Sequence, residues 1–172
     1  MRVRPALPFL LLATALTACS QQAADQTGAA PTPTPALTTQ PASTQAADGT
    51  PLTVGQWLVE ENAVGASAAF REQSGTNALV LACNRTDRSL NLSLSGAAGQ
   101  PQRYRITVGA QKADVMLAPG GPAGLTAAVD GRQPIFATFA DPAAVIMFTG
   151  PGMTPLRVPG NAGISRVFAA CA

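Results

Sequence analysis

The chain of 172 residues contains no histidine, one lysine, one tryptophan and one tyrosine, and only 12% of it is charged. The missing imidazole excludes Ser-His-Asp and Cys-His nucleophile systems, His-ligated zinc, and any side chain that titrates near neutrality without perturbation. No Gly-x-Ser-x-Gly elbow, Ser-x-x-Lys, Walker loop or Gly-x-Gly-x-x-Gly is present. Lys112 sits between Gln111 and Ala113 in an expected loop, a poor place for a desolvated catalytic amine. Glu60 and Glu61 are adjacent, so on a strand they face opposite ways and cannot pair as acid and base. Acidic clusters with calcium-loop spacing are missing too. The reading is therefore of a protein that is not an enzyme and carries neither a metal nor a cofactor; an enzyme that uses carboxylates alone, two distant acids facing each other in a cleft, stands as the third-ranked alternative.

What is abundant is small and apolar. Met1 to Ala18 has the three parts of an export signal: Arg2 and Arg4 at the start, an apolar run from Ala6 to Ala15, then small residues. The run is too short to span the bilayer core, which needs about 20 residues. Without Arg2 and Arg4, nine basic residues face nine acidic ones. A chain without net positive charge or a Lys/Arg run is not expected to bind nucleic acid.

Leu16-Thr17-Ala18-Cys19 matches the lipobox, and at this point the chain resembles the bacterial lipoproteins. That resemblance implies cleavage after residue 18, a diacylglycerol on the Cys19 sulfur, and a further palmitate-type acyl chain on the new amino terminus. Several acyl chains anchor stably where one binds only marginally. Ser20 stands where an Asp would signal inner-membrane retention, so the resemblance implies the outer membrane, facing the periplasm. The membrane, through this anchor, and an unidentified protein or envelope component are the expected partners.

Residues 19–50 are rich in Ala, Thr, Pro and Gln, with the Pro-Thr repeat of Pro31 to Pro35. They are expected to form a disordered tether, because such a composition cannot bury enough apolar surface to offset its ordering entropy. Residues 51–172 are expected to fold as one domain. Arg103 to Val108 alternates, with Tyr104, Ile106 and Val108 on one face; Arg88 to Leu94 does the same with Leu90, Leu92 and Leu94. Asn77 to Cys83 is apolar on both faces and suits a central strand. Gln56 to Glu61, Gly65 to Arg71, Leu125 to Val129 and Pro134 to Phe139 complete the expected strands. Turn clusters lie at Asn84 to Asp87, Gly96 to Gly99 and Pro119 to Pro122. Asp141-Pro142 reads as the start of a short helix or, alternatively, of a buried strand. Asn161 caps a terminal helix whose stripe is Ile164, Val167, Phe168 and Cys171. The fold class is mainly β, an antiparallel sandwich or small barrel with a docked C-terminal helix.

With Cys19 consumed by lipid, Cys83 and Cys171 remain as one pair in an oxidising compartment, and a structural disulfide between them is expected. Arg103 and Arg105 share the outer face of one strand, while Arg85 and Arg88 flank a turn; together they could make a basic patch. Trp57 is expected in the core rather than as a ligand platform.

The order of an early Trp strand, a Cys-ended strand and a near-terminal Cys is similar to small uncharacterised lipoproteins of alphaproteobacteria. That resemblance implies an envelope protein with a binding or supporting role. Gly55-Gln56-Trp57 is also similar to the opening strand of periplasmic protease inhibitors, which implies inhibition of a secreted hydrolase, a protease or lysozyme, as the alternative.

Overall fold

The structure is a computed structural model that describes residues 38–41, 43–96, 99–120 and 123–172. Cys19, the export signal and most of the expected tether lie outside the described residues, as do parts of the turn clusters at 96–99 and 119–122. Ten antiparallel strands form one curled sheet. They are β1 (Thr38–Pro41), β2 (Gly55–Glu61), β3 (Gly65–Glu72), β4 (Asn77–Asn84), β5 (Ser89–Ser95), β6 (Gln102–Val108), β7 (Gln111–Pro119), β8 (Gly124–Val129), β9 (Val145–Thr149) and β10 (Leu156–Pro159). In space their order is β1-β2-β3-β4-β5-β8-β7-β6-β9-β10. Two short helices, α1 (Pro134–Ala137) and α2 (Ile164–Ala170), complete the fold. The mainly β class with a C-terminal helix is thus the class observed.

Register follows from period-two alternation, since a slip by one residue would turn every apolar side chain outward. Trp57, Phe70, Leu79, Leu94 and Leu125 are successive cross-strand neighbours from β2 through β8. The next row runs Val59, Ala68, Leu81, Leu92 and Ala127 by the same pairings. On the other side of the sheet, Ile106, Phe148 and Leu156 form an equivalent row. A register shift after Phe70 pairs Arg71 with Asn77 and leaves Ala78 as the extra residue of a bulge. That bulge is one reason β4 reads as apolar on both faces.

The sheet curls until its end strand meets the chain entering β2. The Thr53 N–H donates to the Arg157 carbonyl at 2.8 Å, and the Trp57 indole N–H donates to the Pro159 carbonyl at 2.8 Å. Trp57 is only 1% exposed and packs edge-on against Phe70. α2 buries Ile164 and Val167 and lies against β3 and β4, where the small Ala66 and Ala68 leave room for it. The cap of α2 is Gly163 and not Asn161 as expected; Asn161 stands two residues earlier, in the turn before the helix, its side-chain oxygen accepting from the Gly163 N–H at 2.8 Å. Cys171 at the end of α2 is disulfide-bonded to Cys83 on β4, with a Cα–Cα distance of 5.7 Å.

Three further expectations change, and one left open, at Asp141-Pro142, is settled as the buried strand. Pro134 to Phe139 is not a strand but α1 followed by a 3-10 turn (Thr138–Ala140), with Pro at the helix start. Ile135, Phe136 and Phe139 are buried together, a helical spacing in a stretch too short to reveal its period. Asp141 caps a turn, accepting from the Ala143 N–H at 2.9 Å, and the segment after it is strand β9 rather than a helix. Lys112 lies in β7, not in a loop; Val115 and Leu117 carry the inward face of that strand. Finally, Thr38–Pro41 pairs with β2, so ordered structure reaches back before residue 51.

β7 is paired with β6 along its length but with β8 only at Ala118 and Pro119. The two strands then diverge, leaving most of one edge of β7 without a strand beside it.

Trp57→Phe removes the indole donor and leaves the Pro159 carbonyl without it, a loss of about 1–3 kcal/mol. Urea unfolding followed by circular dichroism should report this as a lower midpoint; an unchanged midpoint would mean the seam contributes nothing. The disulfide spans 88 positions. Its removal by Cys83→Ala with Cys171→Ala should cost about 4 kcal/mol in the chain-entropy picture, the β signature surviving in native buffer.

Candidate functional site

The four arginines singled out from the sequence do not converge. Arg85 forms an ion pair with Glu61 and donates to the Asn62 carbonyl. Arg105, on β6, holds Asp114 of β7 with contacts of 2.8 and 3.2 Å. Its neighbour Arg103 is on the same face, opposite Met116. Between β5 and β6 stand β8 and β7, so the two arginine pairs occupy different regions of the sheet.

Arg88 instead lines a cleft together with residues that the sequence did not tie to it. Leu90 near the start of β5 pairs with Val129 at the end of β8. The residues beyond that pairing, Arg88 on one strand and Asp130 to Arg132 on the other, therefore emerge together. α2 supplies the third wall through Phe168 and Cys171. The result is a half-open cleft of about 440 Å³, within the usual size range of small-molecule sites. Its floor is apolar: Leu90 is buried, and Val129 and Phe168 are half-buried. Its rim carries Arg88 and Arg132, both exposed, and neither makes an ion pair among the described residues. Asp130 on the same rim is engaged in the turn, accepting from the Arg132 N–H at 3.0 Å.

The backbone at Arg88 is unusual. Its φ of 55° is the only positive value among the described residues that are not glycine. A β-carbon is unfavourable there, and Gly or Asn would normally close such a turn. Strained backbone of this kind concentrates at functional sites. Gly131 is bare for a different reason: a β-carbon on it would lie 3.0 Å from the Leu90 side chain and 3.5 Å from the Phe168 ring.

A second depression of about 520 Å³ holds Asp48, Asp141 and Arg157. These carboxylates do not form an acid/base pair. One oxygen of each caps backbone, Asp48 at Thr50 and Asp141 at Ala143, both at 2.9 Å. Hydrogen bonds from Thr50 hold the Asp48 carboxyl below its ordinary 3.8, the opposite of what a general acid needs. Among the described residues no three His, Cys, Asp or Glu side chains converge as metal ligands. No helix among them is long and apolar enough to cross a membrane.

No protein-family model matches the chain, and neither a curated protein nor a solved structure is significantly similar to it.

Sequence reasoning found Arg88 but not Arg132, Gly131 or Phe168 as its companions. Phe168 read as core, and nothing in the pattern ties residue 88 to residue 132 until the pairing of β5 with β8 is known.

Three carboxyls are held down by local partners: Asp114 by the hydrogen bonds from Arg105, Asp87 by those at Ser89, and Asp48 by those at Thr50. A lowered folded value contributes stability above the ordinary 3.8 and loses it as pH falls through the folded value. Melting temperature should therefore hold steady down to about the ordinary 3.8, fall as pH drops from there through the lowered folded values, and level off below them. Asp114→Asn should flatten part of the drop, and an identical acid profile would rule out the Arg105 contact as a contributor.

Proposed function

We propose that this protein is a lipid-anchored periplasmic binding protein without enzymatic activity, attached to the outer membrane through acyl chains on Cys19. The lipobox supports the anchor. The observation that carries the binding role is the cleft of Arg88, Arg132 and Phe168, a concave apolar floor lined by two arginines that make no ion pair among the described residues. Residues 1–18 are the cleaved export signal in this reading, and the stretch after Cys19 tethers the domain to the bilayer. The resemblance to small alphaproteobacterial lipoproteins agrees with it.

The alternative, inhibition of a secreted protease or lysozyme, draws its support from β7. That strand has an open edge, and Met116 on it is 53% exposed. An extended segment of a target enzyme could add to such an edge. The described hairpin turns between β2 and β5, however, run only three or four residues and offer no protruding reactive loop. The cleft reading therefore ranks first.

The decisive measurement is the intact mass of protein purified from bacterial membranes, before and after reduction and alkylation. The expected mass starts at Cys19 and includes acyl groups, with two alkylatable thiols appearing only on reduction. A chain without acyl groups, or Cys19→Ser remaining membrane-bound, would overturn the anchor.

A further inference from the structure

We infer that the cleft beside the disulfide takes a small amphipathic anion, its carboxylate or phosphate held between Arg88 and Arg132 and its apolar body laid over Phe168, Leu90 and Val129. This rests on the binding reading above and deepens it. Three independent observations converge. The first is the pairing of charge with an apolar floor: Arg88 and Arg132, neither in an ion pair among the described residues, line the cleft beside one carboxylate, Asp130, which accepts from the Arg132 backbone N–H. A purely anionic ligand would need no such floor, and a purely apolar one would leave the arginines unused. Guanidinium forks suit carboxylate and phosphate oxygens equally, and such charge-assisted hydrogen bonds are the stronger kind.

The second is the backbone at Arg88. A turn position that favours glycine holds instead a long cation at φ 55°. The strain is unnecessary for closing the turn, and the side chain it projects is on the rim of the cleft. The third is Gly131, whose φ is not in the left-handed region, so its backbone does not require glycine. A β-carbon there would touch the Leu90 side chain at 3.0 Å and the Phe168 ring at 3.5 Å, so a large side chain at this position would lie against the floor residues.

These features make stability and binding separable. Arg88→Gly relieves the strained residue while removing one cation. The melting temperature should stay the same or rise, while affinity falls roughly tenfold, the loss of one charge-assisted hydrogen bond. Gly131→Leu should fill the floor and abolish binding with the disulfide intact.

The test uses the full chain carrying Cys19→Ser, so that binding is read without a membrane and independently of whether the anchor exists. Calorimetric titration compares decanoate, decyl phosphate, inorganic phosphate and decyltrimethylammonium, all below their micellar concentrations. Binding of either decyl anion, weakened by added salt and by both variants, is the expected result. Preference between the two decyl anions identifies the headgroup. Inorganic phosphate binding as tightly as decyl phosphate would reduce the cleft to a simple anion site and overturn the inference. Equal binding of the decyl cation would overturn the role of the arginines. Absence of any binding would also overturn it, and would leave a binding function to the open edge of β7, while the acylated mass of the membrane-purified protein would stand or fall separately.

Discussion

A β-sheet with one apolar face is unstable in water until that face is covered, and here most of the cover comes from the curvature of the sheet itself. Side chains alternate in and out along β2 through β10, so a flat sheet would leave Trp57, Phe70, Leu79 and the rows beside them in solvent. Right-handed twist and a bulge at Ala78 bend the sheet until β10 reaches the segment leading into β2. The Trp57 indole completes that meeting, because it is at once the largest apolar group of its row and a donor to the Pro159 carbonyl. What the curl leaves uncovered over β3 and β4 is closed by α2, and the disulfide fixes α2 there.

The strands with clean alternation were legible because their pattern and their burial have the same cause. Arg103 to Val108 and Arg88 to Leu94 face the core on one side only, so period two survives in the sequence. α1 was misread because one turn of helix offers too few residues to separate a period of 3.6 from one of two. β7 was missed for another reason. Its first residues, Gln111 and Lys112, are exposed, and the missing neighbour on that side removes the demand for apolar residues that marks inner strands. β1 was hidden by composition: Thr38–Pro41 resembles the polar stretch around it, and only pairing with β2 distinguishes it.

The cleft was legible only in fragments. The Arg88 turn, the Asp130-Gly131 turn and the terminal helix could each be found by eye, but nothing in the sequence says that they meet. Their meeting depends on β8 pairing with β5 ahead of β6 and β7, an out-of-order insertion in the sheet. The cysteine pair was easier, since setting Cys19 aside leaves two thiols with one pairing available. The basic patch failed as a unit for the same topological reason that the cleft escaped notice: β8 and β7 stand between the strands that carry its halves.

The position of the second cysteine also sets an order of events in time. Cys83 belongs to the fourth strand, yet its partner comes 88 positions later, on the last helix. In a chain that emerges from its N-terminus, Cys83 is available as a free thiol until α2 has followed every strand of the sheet. The covalent bond can therefore close only once the last helix has been made. A chain interrupted before α2 would present Cys83 as an unpaired thiol, so incomplete copies would be chemically distinguishable from finished ones.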